Sequence, residues 1–431
     1  MARGLPSAIP IVPVAVTLIR AATRDRLSPS LVEQLQARLL RELVTHAHAT
    51  VPHYREALDS SVVARFGGPA DLGKLPILDR SELPVLGPKL LADGFSPVNT
   101  REARSSGTTG QPAITYFSEG DLGYLRATYL WDLLATGMRP TDRIGYFRVG
   151  GFRRHRLEKL GLARNVHVNT SLGLDDQVAA FLAGRPNFLC GFPNTIAAVV
   201  AELKRRGIRP HHVRGVVFAG EKVTPAARAE VLDYFGAIGN EVYASVETYT
   251  IARSCSRGSL HLRSGDVVVE VEDDNGDVSL PGDRPLEGKI IVTRLHAEAM
   301  PLLRYRLGDR VSITPDTCSC TTFSTPIIRQ VIGRTVDQLQ TLDGRFRHGD
   351  FIISLLHPVE GVRQFQLVQT EPGQVEVLIV PATSPADLAD LADRVTKALS
   401  STSDFDITVR LVDSIPPGPN GKIRVVRSQL G

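Results

Sequence analysis

Cysteine, lysine and long apolar runs are scarce in this chain of 431 residues. Four cysteines are too few for a secreted scaffold built on several disulfides. Only eight of the 50 basic residues are lysine, so each lysine merits attention. The net charge of +4 gives no case for nucleic acid or an anionic membrane as a partner. No apolar run is long enough to cross a bilayer, and we expect a cytoplasmic protein.

Helical patterns come first, and strands follow. Residues 29–58 and 121–136 carry apolar side chains at helical spacing. From about 143 to 247, short apolar runs alternate with helices, which is typical of βαβ units and a parallel sheet. Residues 266–295 are rich in β-branched residues and turn formers, which predicts antiparallel strands.

A smaller unit begins after about residue 335. There QFQLVQTEPGQVEVLIV predicts a hairpin, DLADLADRVTKALS a helix and ITVRLVD a strand. We therefore expect an α/β fold in two domains. The large N-terminal domain, residues 1–335, would hold mixed and parallel sheets, and the small C-terminal α+β domain would cover residues 336–431.

The stretch RSSGTTGQP, residues 104–112, consists mostly of Ser, Thr and Gly. Gly107 and Gly110 permit tight turns with positive φ, in which successive backbone N–H groups form an anion-binding nest. The lysine of the common phosphate loop GxxxxGK[ST] is absent. Because an ordinary loop has the same composition, the stretch alone leaves both interpretations open. Hydroxyl donors would come from Ser105, Ser106, Thr108 and Thr109.

Two carboxylates and one lysine have positions that suit nucleotide chemistry. Asp309, in LLRYRLGDRV, could accept hydrogen bonds from a ribose diol or simply start a turn. Glu247 follows a predicted strand, where parallel sheets bind ligands, and could hold Mg²⁺ or lie on the surface. Lys422 follows an Asn-Gly turn that would give it a defined direction, whereas most lysines near a chain end are solvated charges.

Three cysteines and a histidine form a separate pattern. Two cysteines separated by one residue rarely form a disulfide with each other, but both can reach one metal ion. Thiolates and a neutral imidazole suit tetrahedral Zn²⁺, and four protein ligands close the site, which disfavours a zinc hydrolase. The alternative is that these cysteines are scattered in the core. The four residues are Cys255, His261, Cys318 and Cys320.

The order of these motifs resembles the adenylate-forming superfamily. The Ser/Thr/Gly loop, Glu247, Asp309, Arg334 in IGRTVDQL and a terminal GK occur in the superfamily's sequence order. Within it, the chain resembles the phenylacetate–coenzyme A ligase branch, including its CapK-type members, over nearly its whole length. The similar segments are HAHATVPHYREALD, LGKLPILDRSEL, GFPNTIAAVVAEL, FAGEKVTPAAR, YASVETYTIARSC and AMPLLRYRLGD.

The resemblance implies a role for each matched residue. Residues 105–110 would cradle the ATP phosphates, Glu247 would bind Mg²⁺, and Asp309 would hold the ribose hydroxyls. Lys422 would bridge carboxylate and α-phosphate oxygens. The resemblance further implies Gly220 and Glu221 at the adenine, Tyr243 near the adenine or acyl site, Arg334 at the ribose or phosphate, Gly150, Gly151 and His155 near the acyl pocket, and zinc at the Cys₃His set.

The chain departs from the family pattern at two places. The family's YGxTE is YASVE here, so the threonine hydroxyl is replaced by Val246. The acidic hinge pair is reduced to Val336 and Asp337, and LQTLDGRFRHGD lacks the family's Gly-rich segment. The second departure weakens coenzyme A as the acceptor more than it weakens adenylation.

We therefore expect ATP-dependent adenylation of a carboxylic acid, aromatic or otherwise hydrophobic, and transfer of the acyl group to coenzyme A or another nucleophile. An amide-forming ligase, adenylation of another oxyanion such as nitrite for diazotisation of an aryl amine, and a nucleotide-binding scaffold stay open. The expected cofactors are ATP, Mg²⁺, structural Zn²⁺ and coenzyme A. The expected partner is a small-molecule acid rather than nucleic acid or membrane, and the sequence leaves a homodimer open.

Overall fold

The computed structural model describes most of the chain. The described residues are 11–104, 113–150, 156–209, 211–316, 318–320, 322–334, 338–356, 359–382, 388–400, 402–418, 423–428 and 430. The expected phosphate loop at 105–110, Gly151, His155, Val336, Asp337 and Lys422 lie outside these ranges.

The helices in chain order are α1 (Ile11–Arg24), α2 (Pro29–Thr50), α3 (Pro52–Ala57), α4 (Ser60–Ala64), α5 (Glu82–Leu86), α6 (Glu119–Ala135), α7 (Leu174–Gly184), α8 (Pro193–Arg205), α9 (Pro225–Phe235), α10 (Asp350–Leu356) and α11 (Leu388–Leu399). Short 3₁₀ helices cover Pro69–Lys74, Gly87–Leu90 and Arg156–Leu160. Among the described helices, none is both long and apolar enough to cross a membrane.

The strands in chain order are β1 (Leu78–Asp79), β2 (Arg101–Arg104), β3 (Ile114–Phe117), β4 (Arg143–Arg148), β5 (Arg164–Asn169), β6 (Phe188–Gly191), β7 (Gly215–Ala219), β8 (Ile238–Ser245), β9 (Tyr249–Ser254), β10 (Leu260–Leu262), β11 (Val267–Glu272), β12 (Val278–Ser279), β13 (Leu286–Arg294), β14 (Tyr305–Thr314), β15 (Ile327–Arg334), β16 (Gln338–Gln340), β17 (Phe346–His348), β18 (Val362–Glu371), β19 (Gln374–Pro381), β20 (Asp406–Leu411) and β21 (Val426–Ser428).

The chain forms two compact units. The first unit joins Met1–Leu133 to Glu241–Val331, and the second joins Leu134–Asn240 to Ile332–Gly431. A functional division at residue 335 stays a prediction.

In the first unit, neighbouring strands follow the order β12-β11-β13-β14-β15-β10-β9. The pairs β11–β13, β13–β14 and β10–β9 are antiparallel, whereas β1 joins β14 in parallel. Strand β11 is buried on both faces, and its Val267–Val271 segment packs with α2 residues in one hydrophobic core. The sheet of this unit is therefore mixed.

The second unit contains a parallel sheet and a separate smaller one. The parallel sheet has the order β5-β4-β6-β7, and its core includes apolar residues of α7, α8 and α9. The smaller sheet has the order β20-β19-β18-β21 and packs with apolar residues of α10 and α11. The α/β fold with mixed and parallel sheets and a small C-terminal α+β sheet is confirmed.

Most elements expected from the sequence are present, but one helical stretch is divided and several elements were not predicted. The helical stretch expected at 29–58 is two helices, because Val51 before Pro52 is extended at φ −100° and ψ 118°. A residue before proline avoids the α region, and Pro52 then starts the next helix. Strand β5 (Arg164–Asn169) is among the elements that were not predicted, although the alternating polar residues of RNVHVN are typical of a half-buried strand.

Candidate active site and metal centre

The first group of candidate residues surrounds Glu247, in the turn between β8 and β9. Its side chain is 1% exposed, and its Oε1 accepts a hydrogen bond of 2.7 Å from Nη1 of Arg80. The hydroxyl of Tyr305 lies 3.5 Å from the same oxygen. A carboxylate this deeply buried needs a charged or hydrogen-bonding partner, and Arg80 provides it.

Arg80 reaches Glu247 because β1 pairs in parallel with β14. Leu78 is paired with Tyr305, and Asp79 is paired with Arg306. Gly308, at φ +91°, lies close to the Arg80 side chain: a Cβ on Gly308 would be 3.8 Å from Arg80 Cδ. The short β1 strand therefore places a cation next to the strand that carries Asp309.

Asp309 itself is held by Tyr243. The Tyr243 hydroxyl on β8 donates a hydrogen bond of 2.7 Å to Asp309 Oδ2 on β14. Both residues are half-buried. The first unit thus brings together Tyr243, Glu247 and Asp309, three residues singled out from the sequence, and adds Arg80 and Tyr305, which were not.

The second group of candidate residues lies at the end of β7 in the second unit. Gly220 follows this strand at φ +85°, a conformation that favours glycine. The carboxylate of Glu221 accepts a hydrogen bond of 2.7 Å from the backbone N–H of Ile423 at Oε1, and one of 3.2 Å from Asn194 Nδ2 at Oε2. The expected adenine-pocket residue therefore contacts the residue directly after Lys422.

Two other expected site residues are described only in part. Gly150 follows β4 at φ +80°. Arg334 is the last residue of β15, and its side chain lies outside the described part of the structure.

The Cys₃His residues do come together. The nearest ligand atoms of Cys255, His261, Cys318 and Cys320 all lie within 4.8 Å of one another. The Sγ atoms of Cys255 and Cys318 are 3.7 Å apart, and Cys320 Sγ is 3.5 Å from His261 Nε2. Tetrahedral zinc with ordinary bond lengths requires separations of about 3.8 Å between two sulfurs and about 3.5 Å between sulfur and nitrogen. The donor set therefore fits such an ion.

The surroundings of His261 suit a metal ligand. His261 Nδ1 lies 3.0 Å from the carbonyl oxygen of Thr325, so Nδ1 carries the proton and Nε2 presents its lone pair to the sulfurs. Phe323 stacks on the imidazole at 4.9 Å between ring centroids, and the guanidinium of Arg253 lies 4.9 Å from the Phe323 centroid. Hydrogen bonds with Ser259 and His261 lower the pKa of the Cys318 thiol to about 6.

Besides Tyr305, the sequence interpretation missed Arg80 and Asn194 as contributors. Arg80 lies in LPILDRSEL, and 167 residues separate it from Glu247. Asn194 lies in GFPNTIAAVV, at the start of α8. Both segments resembled the family, but no local pattern indicated that either side chain would contact a carboxylate.

Comparison with known proteins places these features in a family. Residues 339–429 match the CapK C-terminal domain. The phenylacetate–coenzyme A ligase of Thermus thermophilus is 29% identical over 322 residues, covering 71% of each chain. The phenylacetate–coenzyme A ligase of Aromatoleum evansii is 27% identical over 343 residues, covering 74% of this chain and 73% of that enzyme.

Solved structures agree on the fold. Crystal structures of 2-hydroxyisobutyryl–CoA ligase cover 94% of this chain, and this chain covers 91% of theirs, at 16% identity. The TM-score is 0.74 for the postadenylation state and 0.62 for the thioesterification state. In its matched C-terminal domain and its curated relatives, this chain is similar to the phenylacetate–coenzyme A ligase and CapK-like branch of the adenylate-forming superfamily.

Proposed function

We propose that this chain converts a hydrophobic or aromatic carboxylic acid and ATP into an acyl-adenylate and pyrophosphate, then transfers the acyl group to coenzyme A and releases AMP. The observation that carries the proposal is a pair of carboxylates in the first unit, each fixed by a hydrogen-bonding partner. Glu247 is paired with Arg80, and Asp309 is held by Tyr243. A magnesium nucleotide needs one carboxylate for its metal and one acceptor for its ribose.

The two carboxylates have different tasks in this proposal. Asp309 accepts from the ribose hydroxyls, and the hydrogen bond from Tyr243 fixes its orientation beforehand. Glu247 would hold the magnesium ion of the nucleotide, because a hard cation prefers carboxylate oxygen. The contacts from Arg80 and Tyr305 both use Glu247 Oε1, so Oε2 would be the oxygen available to a metal ion.

Bond formation requires two anions to meet. A carboxylate oxygen attacks the α-phosphorus in line, and the bond from this phosphorus to the pyrophosphate oxygen breaks. We assign Lys422 as the cation between the substrate carboxylate and the α-phosphate, where a positioned charge stabilises the transition state. Residues 105–110 are assigned to the phosphates, and Gly220 to the adenine. Gly150, Gly151 and His155 are assigned to the acyl pocket.

The acid and the acceptor are proposed from different observations. The curated relatives are phenylacetate–coenzyme A ligases, which favours an arylacetic acid as substrate. The segment LQTLDGRFRHGD lacks the family's Gly-rich stretch, which favours an amine as the alternative acceptor.

We also propose that Cys255, His261, Cys318 and Cys320 hold a structural zinc ion. Their donor separations fit a tetrahedral site, and four protein ligands leave no position for a substrate. Bound there, zinc would cross-link β10 to the segment before β15 and supply no step of the reaction.

Product analysis tests the proposal. The purified chain is incubated with ATP, Mg²⁺ and a panel of aryl, arylacetic and alkyl acids, with coenzyme A, with simple amines, or with neither. Mass spectrometry is expected to find an acyl-adenylate in the absence of acceptor and an acyl-CoA in its presence. An amide without thioester would shift the acceptor to an amine, and no AMP with any acid would overturn the proposal.

A further inference from the structure

The contact between Glu221 and Ile423 points to a role that adenine binding does not need. Both carboxylate oxygens of Glu221 are occupied: Oε1 accepts from the Ile423 N–H at 2.7 Å and Oε2 accepts from Asn194 Nδ2 at 3.2 Å. A hydrogen bond from a backbone N–H to an ionised carboxylate is stronger than one to a neutral acceptor. Ile423 directly follows Lys422 in the chain.

Further contacts connect the same β7–α9 segment to the C-terminal residues of the second unit. Thr224 is the N-cap of α9, and its Oγ1 accepts from the Ala227 N–H at 3.1 Å. The single hydrogen of the Thr224 hydroxyl is shared between two acceptors, the carbonyl oxygens of Val362 and Arg363, at 3.0 and 2.9 Å. One buried hydroxyl therefore both starts a helix and binds the beginning of β18.

Charged contacts lie further along α9, at Glu230. Glu230 lies 3.2 Å from the Lys204 ammonium and 3.9 Å from the Arg363 guanidinium. The side chains of Glu230 and Arg363 are only 7% and 15% exposed. Together, Glu221, Thr224 and Glu230 contact three residues of the C-terminal part of the second unit, Val362, Arg363 and Ile423.

We propose that Glu221 is a positioning residue for adenylation: it fixes the backbone beside Lys422 so that the lysine is placed for the first half-reaction. The inference rests on the proposed function and assigns Glu221 a task other than contact with adenine. A contact at the backbone of Ile423 limits where Lys422 can lie, since consecutive Cα atoms are about 3.8 Å apart. Thr224 and Glu230 contact Val362 and Arg363 at the start of β18, the strand that pairs with β21 just after Ile423.

Because the contact with Ile423 acts next to Lys422, the two half-reactions should respond differently to the loss of Glu221. Glu221→Ala is expected to slow acid-dependent ATP–pyrophosphate exchange about tenfold, the lower range for loss of a charge-assisted hydrogen bond. Thioester formation from a synthetic acyl-adenylate and coenzyme A should stay within about twofold, because it does not require the α-phosphate lysine. Glu221→Gln keeps an acceptor oxygen and should fall between wild type and Glu221→Ala.

Glu202→Gln is the matched control. Glu202 also belongs to the second unit, but it pairs within its own helix, with Arg205 and Arg206 at 2.5 and 2.6 Å. This variant should leave both half-reactions unchanged. A raised KM for ATP in Glu221→Ala with an unchanged kcat would indicate adenine binding and overturn the inference. Equal losses in both half-reactions would indicate a structural role and would overturn it as well.

Hydrogen exchange tests the contact without relying on activity. Mass spectrometry of the full chain without ligand should show faster exchange in peptides covering 423–428 for Glu221→Ala than for wild type or Glu202→Gln. Unchanged exchange would overturn the inference, even if the enzyme is active. Suppose that wild type activates no acid while Glu221→Ala still exchanges faster in these peptides. In that case the proposed function fails, and the contact between Glu221 and Ile423 stands.

Discussion

The guanidinium of Arg80 lies 2.7 Å from the carboxylate of Glu247, a residue 167 positions later in the chain. Glu247 is 1% exposed and Arg80 is 17% exposed, so the pair is largely shielded from water. The parallel pairing of β1 with β14 is what brings Arg80 to this place. Because the pair is buried, the loss of one partner should affect stability.

Removal of Arg80 should destabilise the protein. Arg80→Ala leaves a buried carboxylate without its cation, and we expect a loss of about 3 kcal/mol in the free energy of unfolding. Arg55→Ala is the control, because its pair with Asp93 is 47% and 61% exposed and should contribute less than about 1 kcal/mol. Urea unfolding followed by circular dichroism measures both. Equal small losses would contradict the assigned importance of the Arg80 pair.

Tyr243→Phe should weaken nucleotide binding without unfolding the protein. The variant keeps the ring but removes the hydroxyl that donates to Asp309, so the carboxylate is no longer oriented. Loss of about 1 kcal/mol of hydrogen bonding corresponds to a rise of about fivefold in the KM for ATP. Initial rates at varied ATP measure it. An unchanged KM in Tyr243→Phe and a strongly raised one in Asp309→Ala would show that Asp309 needs no help from Tyr243.

The metal centre predicts one zinc ion per chain. Elemental analysis of the purified protein should find about one equivalent, and Cys318→Ser should lose it. Because metal binding is coupled to folding, this variant should also lose about 3 kcal/mol or more of stability. Cys190→Ser is the control, since Cys190 is buried in β6, apart from the cluster. A wild type of normal stability without metal would rule out the zinc.

Stability should depend on His296 below neutral pH. Burial is the largest cause of a shift that lowers the pKa of His296 to about 4; Arg24, 2.9 Å from Nε2, adds to the shift, while Asp266 opposes it. In the unfolded state the pKa of this histidine is about 6.5, so the unfolded state binds a proton before the folded state does as pH falls. His296 therefore contributes stability fully above pH 6.5, and up to about 3 kcal/mol of it is lost as pH falls toward 4.

The variant His296→Gln isolates this contribution. Glutamine can still accept from Arg24 but does not titrate, so the variant should lose less stability than wild type between pH 6.5 and 4.5. Urea midpoints at several pH values measure the difference. Identical slopes for the two proteins would contradict the prediction.

The sequence predicted the elements more fully than it predicted the contacts. The alternation of short apolar runs with helical patterns was sufficient to predict the parallel sheet. Turn residues between apolar runs were sufficient to predict the hairpins. The Cys₃His set was predicted because ligand chemistry limits the choice of residues.

Long-range charge pairing could not be predicted in the same way. Arg253 and Arg263 are buried with Asp25 and Asp132, at distances of 2.8 Å for Arg253–Asp25 and Arg263–Asp132. These four residues come from distant parts of the chain, and each is an ordinary charged residue in its local sequence. Only the fold shows that they neutralise one another, as Arg80 and Glu247 do.

The most direct test of the account is acid-dependent exchange of pyrophosphate into ATP by wild type, Lys422→Ala and Lys397→Ala. Lys397 is an exposed residue of α11 and serves as the control lysine. We predict exchange with at least one aromatic or hydrophobic acid in wild type and Lys397→Ala, and a loss of about a hundredfold or more in Lys422→Ala. Full exchange in Lys422→Ala, or none in wild type with any acid, would contradict the account.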